Sequence, residues 1–109
     1  MKELKWSDAE KKIARQAFDA ALSREYAVLI DKLKSLAAKA ETAEDIWAIH
    51  DYLTEQRRVI DAKYDYRYSQ LIFVFGWLLR EKWIEEKDLE GLGEEKLQPI
   101  RHIAALGLK

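Results

Sequence analysis

From Ser7 to about Ala40 the chain runs for more than thirty residues without a glycine or a proline. A stretch of that length with no backbone breaker is suited to one long α-helix. Ser7 followed three residues later by Glu10 reads as a capping box, so the helix is predicted to start there. Leu22, Tyr26, Leu29, Leu33, Leu36 and Ala40 advance in steps of four, three, four, three and four, an a/d stripe over more than two heptads. Ala17, Phe18, Ala21, Ile30 and Ala37 widen the stripe, so one face is expected against the chain's own core and a neighbouring face against another helix. Such a helix is about 50 Å long at 1.5 Å per residue, longer than a compact domain of this size is wide. Part of it therefore needs a partner. Self-association is the simplest source, and a helical hairpin with a projecting end is the intramolecular alternative.

Thr42 and Asp45 repeat the capping pattern and open a second helix after a tight connection, which favours antiparallel packing. Ile46, Ile49, Leu53 and Ile60 fall on one side of it, the side expected to be buried. Trp47, Asp51, Thr54 and Arg58 fall in a narrow sector well away, with His50 and Arg57 along one border. A break is predicted within Asp61 to Tyr66, although a continuous helix also fits. Ser69 to Leu79 is apolar nearly all round, as for a helix enclosed by others. Two glycines between Leu89 and Gly93 mark the end of a short helical turn and the entry to a last helix from about Glu94, where Pro99 is either the true start or a kink. The expected fold is all-α. Residues 1–109 form one domain, with long dimerising helices over 7–62 and a helical head over 63–109.

Composition agrees and narrows the chemistry. Hydrophobic residues make up 49% and charged residues 36%, with four glycines and one proline, a pattern of ordered helix. Net charge is -1 with no long single-sign run, which supplies no bulk attraction to nucleic acid or anionic lipid. The absence of cysteine removes disulfides and zinc-thiolate sites and fits a reducing compartment. No apolar leader region precedes the first helix, and the longest apolar run, Leu71 to Leu79, is too short to cross a bilayer. A cytoplasmic protein is expected.

There is no nucleophile elbow, Gly-rich phosphate loop, HExxH pair or EF-hand loop, so neither a catalytic residue nor a metal or cofactor ligand is assigned. His50 beside Asp51 does not make a base with its orienter, because adjacent helix residues point about 100° apart. Trp47 has two open readings. It packs under a neighbouring helix with charges at its rim, or it belongs to an interface, where Trp, Tyr and Arg dominate. Arg57, Arg58, Lys63 and Arg67 alternate with tyrosines, but Asp61 and Asp65 are interspersed, which favours a salt-bridged face over a nucleic-acid surface.

The motif Trp47-x-x-His50-Asp51-Tyr52-Leu53, with Arg57, then Ile60-Asp61-x-Lys63-Tyr64-Asp65-x-Arg67 and the block Ile72 to Phe75, resembles the fluorescence recovery protein family of cyanobacteria. So does the opening Trp6-Ser7-x-Ala9-Glu10. The resemblance runs from about Trp6 to Leu106. It implies a non-enzymatic helical homodimer that binds the C-terminal domain of the photoactivated orange carotenoid protein. Such a regulator promotes detachment from the phycobilisome and speeds the return from red to orange, acting at the antenna without inserting into a membrane. On this resemblance Trp47, His50, Asp51 and Arg57 form the partner-binding patch, and Phe73 matches an aromatic in or near that contact. The dimer is implied to use the first and second helices, with Ile30 and Ile46 at matching positions; Leu33 and Leu53, on the stripes above, complete the expected seam. Pro99 and Ala105 stand where the family carries basic residues, while Arg101 is retained. A scaffold of this kind would also serve as an interaction module for a different protein.

Overall fold

Among the described residues, four α-helices and a 3-10 turn follow in chain order: α1 Asp8–Lys39, α2 Ala43–Lys63, α3 Leu71–Arg80, the turn Glu86–Leu89 and α4 Glu94–Leu106. This computed structural model describes residues 4–107 and has no strand among them; the first three and last two residues of the expected 1–109 unit lie outside the described residues.

Both capping boxes form. The Ser7 hydroxyl accepts the Glu10 N–H at 3.1 Å and the Glu10 carboxylate accepts the Ser7 N–H at 3.0 Å. Thr42 accepts the Asp45 N–H at 3.2 Å, and the Asp45 carboxylate accepts the N–H groups of Glu41 at 2.9 Å and Thr42 at 3.1 Å. Those donors hold the Asp45 carboxyl below its usual range. The 32 residues of α1 span about 48 Å, close to the longest dimension of the molecule, 53 Å against 24 and 22 Å.

Only the N-terminal half of α1 is in the core. Ala14, Ala17, Phe18 and Ala21, one stripe at helical spacing, are buried with Trp6 against Leu71, Val74, Phe75 and Leu78 of α3, Ile84, Leu89 and Leu92 of the connection, and Ile100 of α4. Beyond Ala21 no residue of α1 is fully buried, and α2 buries only Ile60. The outer half of α1 and most of α2 thus form a projecting antiparallel hairpin. The side of α2 expected to be buried is covered in a gradient: Ile60 is enclosed, Ile49 and Leu53 are half-buried, and Ile46 near the tip is 57% exposed.

The helix α2 ends at Lys63 without glycine or proline because the following tyrosines turn back onto the core. Tyr64 and Tyr66 both meet Phe18 edge-on, at 5.3 and 4.8 Å between ring centres, and the Arg15 guanidinium lies 4.0 Å over the Tyr66 ring. In α3 the expected enclosure holds for Leu71, Val74, Phe75, Gly76 and Leu78, but Phe73 points outward. At Gly76 α3 packs tightly on α4: a Cβ there would overlap the Ile103 side chain, lying 2.7 Å from its Cβ. The last helix starts at Glu94 with Gly93 as its cap, so Pro99 is interior and leaves the Glu95 carbonyl without its helical donor.

Glu10 does more than cap. Its carboxylate also accepts the Gly93 N–H at 2.8 Å and the Lys96 ammonium at 3.1 Å, and Lys96, almost fully buried, sits 5.1 Å over the Trp6 ring. Burial pushes the Glu10 carboxyl up, but the Ser7 and Gly93 N–H groups and Lys96 outweigh it and bring it from 4.5 to about 2. The start of α1 and the start of α4 are thereby tied through one carboxylate.

Candidate docking surface

Trp47 sits one turn into α2, on the side of the hairpin turned away from α1. It is 63% exposed, which removes the reading in which it packs under a neighbouring helix. Its ring meets that of His50 edge-on at 6.1 Å, as expected for residues three apart on a helix. His50 Nδ1 lies 3.4 Å from Asp51 Oδ1, with both side chains open to solvent. The adjacent pair does meet, contrary to the expectation from helix geometry. The contact is long and solvated, and this weakens it as a base-orienter arrangement.

Arg57 lies six residues after Asp51, about 9 Å further along the axis, and pairs with Asp61 at 3.6 Å across one turn. The neighbouring cations are also matched: Arg58 with Glu55 at 3.0 Å, Arg67 with Asp65 at 2.8 Å. This is the salt-bridged face expected from the interspersed acids.

Phe73 is 38% exposed on α3 and lines a groove of about 400 Å³ with Val59, Ala62, Val74 and Trp77, rimmed by Arg58 and Asp65. Val59 and Ala62 are 12 and 15 residues beyond Trp47, so the groove begins roughly 20 Å down the same helix. The fold therefore brings Trp47, His50 and Asp51 together, sets Arg57 beside them along one helix, and places Phe73 at a separate point on the same elongated flank. The four residues expected at the seam lie on the hairpin: Ile30 and Ile46 are exposed, Leu33 and Leu53 half-buried.

Lys63 and Glu81 also line this groove, and they belong to a cluster that sequence reasoning missed. Lys63, at the end of α2, places its ammonium 2.7 Å from Glu25 of α1 and 2.7 Å from Glu81 at the end of α3. The Tyr64 hydroxyl donates to Glu25 at 2.8 Å, and the Trp83 indole N–H donates to Glu81 at 2.9 Å. Burial, reinforced by Glu25, pushes the Tyr64 hydroxyl far above its ordinary range, so it acts as a neutral donor. Glu25 and Lys63 are 38 residues apart, and no local spacing signals such a pair.

No group of three or more His, Asp or Glu side chains that could hold a metal ion occurs among the described residues, and none of their helices is long and apolar enough to cross a membrane. Fold and surface define an all-α protein with a projecting helical hairpin that displays an aromatic and charged strip to solvent. The chain belongs to the fluorescence recovery protein family: the family model described as the photoprotection regulator fluorescence recovery protein matches residues 6–104. It is 36% identical over 104 residues to the fluorescence recovery protein of Synechocystis sp., covering 95% of each chain. Among solved structures, that of the Fremyella diplosiphon fluorescence recovery protein is 40% identical with a TM-score of 0.87. The Synechocystis sp. PCC 6803 structure is 36% identical with a TM-score of 0.88. Each alignment covers 93% of this chain and 99% of the other.

Proposed function

We propose that this protein is a non-enzymatic regulator that docks on the C-terminal domain of a photoactivated orange carotenoid protein, promotes its release from the phycobilisome and accelerates its return from red to orange. The observation that carries this reading is the open placement of Trp47 beside His50 and Asp51 on α2, in a chain of the fluorescence recovery protein family. A large exposed aromatic with charged neighbours has the composition of an interface hot spot. Arg57 extends the docking strip, and Phe73 adds a second contact.

A scaffold of this kind needs no covalent chemistry. By binding an intermediate domain arrangement more tightly than the red ground state, it lowers the barrier between the two forms. The protein acts as a homodimer in the cytoplasm. Tyr26, Ile30 and Ile46 leave an apolar strip exposed along the hairpin, and a second copy covering Ile30, Leu33, Ile46 and Leu53 removes it from water.

Complex formation tests this reading. Mixed with photoactivated orange carotenoid protein, the wild-type chain is expected to co-elute with it on size exclusion, and Trp47→Ala to elute separately. If wild type and carotenoid protein elute independently at high concentration, the docking reading fails.

A further inference from the structure

We propose that Lys63 is a positioning residue: its single ammonium, shared between Glu25 and Glu81, sets the angle at which α2 leaves the packed end of the molecule. It thereby sets where the Trp47 strip stands relative to Phe73. This consequence for docking rests on the function proposed above; the geometry does not.

Three elements converge on the one cation. Glu25 lies where α1 emerges from the core, Lys63 is the last residue of α2, and Glu81 caps the end of α3. The Lys63 and Glu25 side chains are only 11% and 13% exposed, so water screens the pair weakly. Each carboxylate has a second donor of its own: the Tyr64 hydroxyl donates to Glu25 Oε1 while the lysine takes Oε2, and the Trp83 indole N–H shares Glu81 Oε1 with the lysine. The ammonium also lies 5.6 Å over the Tyr64 ring and 5.9 Å over the Trp83 ring. Arg24 adds a neighbouring clasp, donating to the Trp83 carbonyl at 2.7 Å.

Within one chain, the rest of α2 has little else to hold its direction. Only Ile60 is fully buried, and the half-buried Ile49 and Leu53 face α1 through contacts without directional bonds. Without the cation, Glu25 and Glu81 are two carboxylates at one junction with no charge between them. Such a junction favours separation of the elements that carry them.

The chain contains no cysteine, so Ala48→Cys on α2 and Gln98→Cys on α4, both exposed, give two unique spin-label sites. The labelled protein is diluted into excess unlabelled protein, so that an assembly carries one labelled copy, and the α2 to α4 distance is measured by double electron-electron resonance. One narrow distance is expected with Lys63 and with Lys63→Arg, and a broadened or shifted one with Lys63→Met at unchanged helicity. An unchanged distribution in Lys63→Met overturns the proposal. If Lys63→Met loses its helicity, Glu81→Ala decides instead, since it removes the acceptor at the end of α3 and leaves the Lys63 to Glu25 pair in place: a broadened or shifted distance supports the proposal and an unchanged one overturns it. Binding is the separate arm. Lys63→Met is expected to weaken complex formation with photoactivated carotenoid protein about tenfold, with recovery in Lys63→Arg. Wild type that fails to bind refutes the docking reading and leaves the distance result standing.

Discussion

Gly76 has no room for a side chain. A Cβ at this position overlaps the Ile103 side chain, 2.7 Å from its Cβ, and meets the Ile100 carbonyl at 3.4 Å, so Gly76→Ala has to push α3 and α4 apart. A destabilisation of about 1–3 kcal/mol is expected in urea unfolding. Glu10 acts at the same scale through charge. Its carboxyl falls from 4.5 to about 2 in the fold, so the folded state binds its proton more weakly than the unfolded chain. The resulting stability is fully present above about pH 4.5 and is lost as pH falls through 2. The ceiling for this contribution is about 3 kcal/mol. Glu10→Gln is expected to flatten the stability profile between pH 5 and 2, read by unfolding midpoints at each pH. The Ser7 to Glu10 spacing announced the cap, but nothing in it announced Gly93 or Lys96, which lie 83 and 86 residues away. Trp47 is a related case. Its residue type fits a rim-packed aromatic and an exposed anchor equally well, and only the placement of α1 and α3 leaves it in solvent.

Among the elements, α1 and α2 were legible at both their beginnings because caps are local: Ser7 with Glu10, Thr42 with Asp45. The stop of α2 was legible only as an interval. No glycine or proline ends it; the Tyr64 and Tyr66 rings do, by meeting Phe18 edge-on, a contact between residues more than forty apart. Pro99 left the start of α4 open, and Gly93 resolves it. The hairpin that these helices form carries the prediction at this scale. Ile46 is 57% exposed in the single chain, so Ile46→Glu adds a charge that the monomer tolerates and a dimer seam does not. Sedimentation is expected to show monomers with helicity retained. A persistent dimer would move the seam to another face of the hairpin.

At the scale of the whole molecule, a core at one end and a long hairpin at the other separate the packed residues from the surface proposed for recognition. The packed end takes its buried side chains from α1, α3, the connection and α4, while the proposed docking strip stands on α2, where only Ile60 is fully buried. The length of α1 already required that something project, and the resemblance pointed to the strip. The junction at Lys63, which depends on three elements meeting, came only with the fold. The central claim is that this strip grips the carotenoid protein during its recovery. The direct measurement is the dark decay of the red form followed by absorbance, with wild-type protein and with Trp47→Ala. Wild type is expected to accelerate the decay, and Trp47→Ala to need a roughly 30-fold higher concentration for the same effect, corresponding to loss of about 2 kcal/mol at a hot spot. Decay unchanged by saturating wild type, or accelerated equally by both proteins, would contradict it.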